Sequence, residues 1–353
     1  MHDNRDMYEL EYPTPDIAGE GAPGPVLIIA LQGYADAGQA VSASSDHLLA
    51  ALDNRLVASF NTDELIDFRS RRPVVTMRDH EVTDIDDITL DMRVLRDSDH
   101  HSFLLLSGPE PDLRWGAFTH AVTNLVDKYN VSQVICLYAA PMTVPHTRPL
   151  MVSAHGNAPD HTGQRFHFDG KVILPGSASL TIEKALSDSG HNVAGFTAHV
   201  PHYVSSSPYP EATYRLLSSV ADQANLKFPL QTLEHDRQRI AQQLAEQVAD
   251  SPEIQQVVAA LEIQYDEELD SYRNTHPRAV MPGEEDLPSG EELGEEFERF
   301  LAQLDEPSNE KPSDDEPSDD EPSDEDAPEE DASQPHDQED PGDSSDEGNN
   351  PDA

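Results

Sequence analysis

The chain has 353 residues, and its 69 acidic residues against 22 basic ones give a formal net charge of −47. Phosphate backbones and anionic membrane surfaces should repel such a chain, so the charge argues against nucleic acids and lipids as partners. Cys136 is the only cysteine, so neither an intrachain disulfide nor a cysteine-based zinc site can form. No apolar run near the N-terminus has the length of a signal peptide, and we expect a cytoplasmic protein.

Much of the charge lies in a C-terminal tail. Residues 305–353 contain 22 acidic residues and one basic residue, with Glu-Pro-Ser-Asp-Asp repeated over 306–326. The only apolar residues of the tail are three alanines, so it cannot bury enough surface to offset its conformational entropy. We therefore predict a disordered tail, and a body that is long enough to bury a large core.

Short apolar runs alternate with helix-forming segments after a Pro-, Gly- and acid-rich N-terminal arm. The predicted strands are 26–32, 56–60, 73–77, 88–95, 103–107, 134–139, 172–174 and 193–200. The predicted helices are 39–52, 113–129 and a segment through Ile182 and Leu186 that ends at Gly190. Continuous apolar runs are typical of strands that are buried on both faces. The alternation thus predicts an α/β fold with a mainly parallel sheet between helical layers.

The remainder of the body has helical periodicity. Residues 231–272 predict a helical hairpin, in which Ser251 caps the second helix and Pro252 takes its first position. Ser289 and Glu292 form a capping box at the start of a short amphipathic helix. The predicted organisation is a flexible arm (1–24), a core domain (25–228), the hairpin (229–273), a linker (274–288), the amphipathic helix (289–304) and the disordered tail (305–353).

The first candidate site is the segment Gly33-x-x-Asp36-x-Gly38, which follows a strand and opens a helix. Anions dock on free amides at such places, but the segment matches neither the phosphate-binding P-loop nor the dinucleotide fingerprint. Asp36 would also repel a phosphate. The favoured interpretation is that Asp36 caps the helix and that the glycines permit a tight turn, with a ligand site as the alternative.

The second candidate region is rich in histidine. Residues 141–169 are predicted to be mostly loop. They include His146, His155, His161 and His167, at spacings of 9, 6 and 6, with Asp160 and Asp169 nearby. A zinc site usually contains one closely spaced pair of ligands, and these spacings supply none. We predict no metal site here, and instead expect histidines that bond to the backbone or to water.

Two arginine segments could bind carboxylates. Residues 145–149 read Pro-His-Thr-Arg-Pro, so two prolines restrict the backbone around a His and an Arg. Arg72 lies just before another proline. In so acidic a chain, ion pairs that hold loops in place are the favoured use. A pocket or interface at the strand ends would be formed by Asp36, Gly38, Arg72, His146, Arg148 and His155.

Catalytic patterns are absent from the sequence. No Gly-x-Ser-x-Gly elbow occurs, and Cys136 lies within an apolar run, where a small core residue is expected. We therefore predict neither catalytic residues nor a cofactor. A hydrolase or phosphorylase-like enzyme that uses a crevice at the strand ends is the alternative.

In combination, five segments resemble the proteasome assembly chaperone 2 family. They are Gly33–Gly38, Asp67–Val74, Ser107–Trp115, Pro145–Pro149 and His199–Pro210. The resemblance is closest to the bacterial, actinobacterial-type branch and covers roughly residues 25–305. It implies a three-layer α/β/α sandwich similar to nucleoside phosphorylases and certain peptidases. It also implies a non-catalytic protein that binds other polypeptides.

The resemblance also guides our expectation about partners. We expect a protein partner and self-association, with a homotrimer as in many phosphorylase-like folds. Members that dock on proteasome α-rings carry a hydrophobic-Tyr-any-residue motif at the extreme C-terminus. This sequence ends Asn350-Pro-Asp-Ala353, without that motif, so we do not expect docking by that route.

Overall fold

The computed structural model describes residues 7–15, 17, 24–158 and 165–284. The strands are β1 (Tyr8–Leu10), β2 (Val26–Gln32), β3 (Asn54–Phe60), β4 (Val75–Arg78), β5 (Glu81–Ile85), β6 (Asp91–Arg96), β7 (Ser102–Pro109), β8 (Gln133–Met142), β9 (Val152–Gly156) and β10 (Val193–Pro201). The helices are α1 (Ala40–Ala51), α2 (Thr62–Leu65), α3 (Trp115–Lys128), α4 (Ala178–Asp188), α5 (Pro210–Ala224), α6 (Gln231–Ala249) and α7 (Pro252–Thr275).

The main sheet has eight strands in the order β1-β3-β6-β7-β2-β8-β10-β9. Four neighbouring strands, β7, β2, β8 and β10, are parallel to one another. The other four, β1, β3, β6 and β9, run antiparallel to their neighbours. The parallel strands are buried along most of their length, as their continuous apolar runs require. The predicted α/β class is therefore confirmed, and its parallel part is the centre of the sheet.

Helices cover both faces of this sheet. On one face, α3 and α4 bury apolar residues such as Phe118, Val122 and Ile182. On the other face, α1 and α5 bury residues such as Val41 and Leu216, and α6 packs outside them. The apolar residues of α3 recur every three or four positions, which places them on one side of the helix. The result is the three-layer α/β/α sandwich that the resemblance implies.

The predicted helical hairpin is present as α6 and α7. Ser251 accepts a hydrogen bond from the Ile254 amide at 3.4 Å, and Pro252 is the first residue of α7. Tyr265 and Tyr272 on α7 pack with Phe166 and other residues of the segment between β8 and α4. Among the residues that the structure describes, every helix is too short or too polar to cross a lipid bilayer.

Two local predictions were wrong. Residues 172–174 are exposed and lie outside any strand, whereas the strand of this region is the antiparallel edge strand β9. Part of the predicted flexible arm is also structured, since Met7 is buried and β1 pairs with β3. Both errors have one cause, because pairing with a strand far along the chain determines where β1 and β9 form, and local residue preference does not. The segments predicted for 289–304 and 305–353 lie outside the described residues.

One histidine belongs to the core. His199 on β10 is only 4% exposed, and its Nε2 atom lies 2.9 Å from the Ser153 hydroxyl on β9. The ring of Phe168 stacks on it with centroids 5.6 Å apart. Burial disfavours the charged imidazolium and lowers the pKa of His199 to about 4.

Acid should therefore destabilise the fold through His199. Its pKa is lower in the folded chain than in the unfolded one, so stability is retained above about pH 6.5 and lost as the pH falls toward 4. Between pH 7 and pH 5, the free energy of unfolding should fall by about 2 kcal/mol from this residue alone. Urea unfolding of the wild type and of His199→Gln at both pH values measures this contribution.

The exposed residue His120 supplies the matched control, and His120→Gln should show the pH dependence of the wild type. Between pH 7 and pH 5, the free energy of unfolding of His199→Gln should fall by about 2 kcal/mol less than that of the wild type or of His120→Gln. Equal losses in all three proteins would contradict the assignment.

Candidate functional site

The parallel strands end at one edge of the sheet, where buried carboxylates fix the loops. Glu110, just after β7, accepts a hydrogen bond from the Ala178 amide at the start of α4 at 2.6 Å. A Cβ atom at Gly33 would lie 2.3 Å from a carboxylate oxygen of Glu110. Only glycine therefore fits beside Glu110 at this point of the loop after β2.

Asp36 holds the start of α1. Its carboxylate accepts hydrogen bonds from the amides of Val41 at 2.7 Å and Ser42 at 3.3 Å. Burial raises the pKa of Asp36, although these hydrogen bonds act in the opposite direction. Gly38 has a φ of +67°, and a Cβ there would approach Tyr209 to 2.9 Å. The contacts agree with the capping interpretation of this segment.

The Pro-His-Thr-Arg-Pro segment binds α7 of the same chain. The guanidinium of Arg148 lies 3.2 Å from the carboxylate of Glu262 and 2.8 Å from that of Asp266. Its hydrogen bond with Asp266 raises the pKa of Arg148. The Tyr265 hydroxyl donates a hydrogen bond to the Pro149 carbonyl at 2.7 Å. The segment thus uses its arginine to attach the helical hairpin to the sandwich.

His146 lies at the rim of an apolar groove of about 370 Å³ between the hairpin and the sandwich. Its amide donates a hydrogen bond to the Tyr203 hydroxyl at 2.8 Å, and its Nδ1 atom lies 2.7 Å from the same oxygen. The Nε2 atom is buried and has no hydrogen-bond partner among the described residues. Burial lowers the pKa of His146, which favours a neutral ring.

His155 belongs to a polar cluster on the opposite face of the sheet. Its Nε2 atom lies 3.0 Å from Glu183 on α4, whose second carboxylate oxygen accepts a hydrogen bond from the Tyr138 hydroxyl at 2.6 Å. Burial disfavours the imidazolium, but the hydrogen bond and charge of Glu183 outweigh it and raise the pKa of His155. Cys136 lies beside this cluster, and burial raises the pKa of its thiol. A protonated, fully buried thiol is a core residue and a poor nucleophile.

The six predicted residues therefore form separate groups. Asp36 and Gly38 lie together at the start of α1, and His146 and Arg148 lie together against the hairpin. His155 contacts α4, and Arg72 is exposed in the loop before β4. Each group contacts its own neighbours, so the six residues do not line one pocket.

Sequence reasoning missed a polar cavity of about 530 Å³ between α1 and the strand ends. Two carboxylates and two guanidinium groups line it, namely those of Asp46, Asp91, Arg71 and Arg93. Asp91 is 7% exposed, and one of its carboxylate oxygens bonds to Arg93 while the other has no partner among the described residues. The lining therefore presents both acidic and basic groups to one cavity. The alternating charges on β6 were its only local signal.

A second missed feature is an exposed pair of strands. The strand predicted at 73–77 is present as β4, which pairs with β5 in a sheet separate from the main one. Residues 74–85, which we call the apolar ribbon, are all exposed. Five of them are large and apolar, with exposures between 47% and 65%: Val74, Val75, Met77, Val82 and Ile85. Such exposed apolar patches mark protein-binding surfaces.

The contact of His155 with Glu183 depends on the absence of a side chain at Gly195. A Cβ there would lie 2.2 Å from the His155 ring and 2.8 Å from Glu183. Gly195→Ala should therefore lower the free energy of unfolding by about 1–3 kcal/mol, because the ring must move. In a His155→Ala background the same change should cost less, since the closest atoms are gone. Urea unfolding of the wild type, the two single variants and the double variant completes this double-mutant cycle. Equal costs of Gly195→Ala in both backgrounds would refute the predicted contact.

Comparison with known proteins places this geometry in context. The sequence profile of the PAC2 family matches residues 30–248. No curated protein matches the chain significantly. A Corynebacterium glutamicum protein of unknown function is 60% identical, with a TM-score of 0.74, over 77% of this chain and 100% of its own. A Mycobacterium tuberculosis protein of unknown function is 45% identical, with a TM-score of 0.73, over 76% and 92%.

A third solved structure carries a functional description. It is a proteasome-assembly chaperone homologue from Mycobacterium tuberculosis, 27% identical, with a TM-score of 0.61, over 66% of this chain and 99% of its own. The family profile covers more than half of the chain. The five segments that resemble the family in sequence all lie within it. The chain therefore belongs to the PAC2 family and to its bacterial members.

Proposed function

We propose that this chain is a non-catalytic binding protein that assembles with other polypeptides, in the manner of an assembly chaperone. The exposed apolar ribbon is the observation that carries the proposal. Membership of the PAC2 family supports it, as does the similarity to a proteasome-assembly chaperone homologue. We place this role in the cytoplasm, as the sequence composition predicts.

The ribbon lacks a core of its own. An isolated pair of strands is marginally stable in water, and three or more strands or a packed face are usually needed. Its five large apolar side chains would gain by leaving water, at about 25 cal/mol for each Å² of apolar surface that a partner covers. Residues 172–174 expose Val, Ile and Leu in the same way. Both surfaces favour a polypeptide partner over a small ligand.

A second copy of this chain is the partner that we propose for the ribbon. Copies that each carry a charge of −47 repel one another, so their contact must be apolar and cannot depend on ion pairs between them. The ribbon meets that requirement, because its large apolar side chains are exposed and identical chains that bind through such a surface can close into a symmetric ring. We propose a homotrimer, which salt should strengthen by screening the repulsion.

The alternative of a hydrolase or phosphorylase-like enzyme requires five of the predicted residues to converge on one substrate, namely Asp36, Arg72, His146, Arg148 and His155. Asp36 caps a helix, Arg148 pairs with α7, and His155 pairs with α4 on the other face of the sheet. Each group is engaged in holding the fold together. This geometry favours binding over bond cleavage.

Light scattering tests the self-association. The wild type should have a mass about three times its chain mass of 38.9 kDa. Met77→Asp combined with Val82→Asp should reduce the mass to that of one chain, because two buried charges would oppose the contact. Ile263→Asp, at an equally exposed apolar position on α7, is the control and should keep the larger mass.

Circular dichroism must show that the variants remain folded. A wild type that is monomeric at all protein and salt concentrations would refute the homotrimer. A double variant that keeps the larger mass would show that the ribbon is not the interface. A wild type that also recovers no defined protein from a native lysate would refute the proposed function itself.

A further inference from the structure

Three side chains with metal-binding atoms meet where the end of α7 approaches the segment before α4. The Asp169 carboxylate oxygen lies 3.8 Å from Nε2 of His167 and 3.5 Å from Nε2 of His276. One ligand atom from each residue lies within 4.8 Å of the other two. His276 lies far along the chain from His167 and Asp169, so the spacing of residues in the sequence predicts no metal site here.

The Nδ1 atom of each ring is held by oxygen atoms of the chain. Nδ1 of His167 lies 3.1 Å from the Arg165 carbonyl, and Nδ1 of His276 lies 3.3 Å from the Tyr272 carbonyl. A hydroxyl also lies close to each Nδ1 atom, that of Tyr272 at 3.0 Å for His167 and that of Thr275 at 2.9 Å for His276. With Nδ1 engaged in this way, Nε2 is the ring atom that faces Asp169. Two imidazole nitrogens and a carboxylate oxygen therefore face one another, which is a ligand set of divalent transition-metal sites.

Tyr272 positions both rings. Its own ring stacks on His276, with centroids 4.2 Å apart and an interplanar angle of 16°. Its hydroxyl accepts a hydrogen bond from the His167 amide at 3.2 Å and lies 3.0 Å from Nδ1 of that ring. Metal-binding histidines typically have the non-binding nitrogen fixed in this way by carbonyl or other oxygen atoms.

We propose that His167, Asp169 and His276 bind a divalent transition-metal ion, with Zn²⁺ as the best match. Imidazole nitrogens favour Zn²⁺ over Mg²⁺ and Ca²⁺, which prefer oxygen ligands. In a tetrahedral zinc site, bonds of about 2.1 Å separate neighbouring ligand atoms by about 3.4 Å. The distances of 3.5 and 3.8 Å from Asp169 are close to this value, and the two histidine ligand atoms, which lie within 4.8 Å of each other, would move together on binding. The 67% exposure of Asp169 leaves room for water as the fourth ligand.

Such an ion would have a structural role. His167 and Asp169 belong to the segment between β9 and α4, whereas His276 is the residue after α7. Bound metal would thus connect the far end of the helical hairpin to the sandwich, in addition to the ion pairs of Arg148 with Glu262 and Asp266. Because the ion binds the docked arrangement best, it should stabilise that arrangement.

Isothermal titration with Zn²⁺ tests the site on the full-length, untagged protein after treatment with EDTA. The wild type should bind one equivalent of Zn²⁺ more tightly than any further Zn²⁺ that binds at its surface. This binding should raise its melting temperature. Asp169→Asn should lower this affinity by about 100-fold, and Tyr272→Phe by about tenfold. His235→Ala removes an exposed histidine on α6 and should leave the affinity unchanged.

Asp169 is exposed, so Asp169→Asn should fold normally, which the melting curve of the metal-free variant verifies. The tetrahedral Co²⁺ spectrum, present in the wild type and lost in His276→Ala, gives a second readout. Titration with Mg²⁺ should show no tight site. Equal Zn²⁺ affinity in the wild type, Asp169→Asn and His276→Ala would overturn the proposal, as would the absence of a saturable site. The contacts would then be ion pairs between Asp169 and protonated histidines.

Discussion

The burial of four parallel strands on both faces is the constraint on which the rest of this structure depends. Each large apolar side chain that leaves water contributes about 1.5–3 kcal/mol, whereas an exposed ion pair contributes about 1 kcal/mol or less. The strands β7, β2, β8 and β10 therefore decide the architecture, and helices must cover both of their faces. Because the four strands are parallel, their carboxyl ends meet at one edge. The loops that carry the family motifs meet there for this reason.

At that edge, two acidic side chains bind backbone amides at the starts of helices. Glu110 binds the first amide of α4, and Asp36 binds the first turn of α1. Arg148, one of only 22 basic residues, joins the edge to two carboxylates of α7. The sequence motifs are therefore explained by the joining of loops and helices. The apolar ribbon and the polar cavity beside α1 are not explained by these contacts, and the ribbon supports our proposal that the chain binds polypeptides.

The elements that were predicted correctly are those with a local signal. The continuous apolar run of β2 and the helical period of α3 can be read within one segment, as can the caps of Asp36 and Ser251. Sequence reasoning failed where partners lie far apart along the chain. β1 and β9 exist because they pair with distant strands. The sequence indicated that Arg148 binds carboxylates, but not that these belong to α7, and the lining of the polar cavity was invisible for the same reason.

The glycine at position 195 has a consequence for the alignment of the edge strand β9. Gly195 pairs with His155 in the ladder, and the open space above it lets the imidazole cross toward Glu183 on α4. Sliding β9 by a single residue would turn the imidazole to the other side of the sheet and leave Glu183 without it. The contact of His155 with Glu183 therefore stabilises the observed register of the edge strand β9 relative to registers that are shifted by one residue.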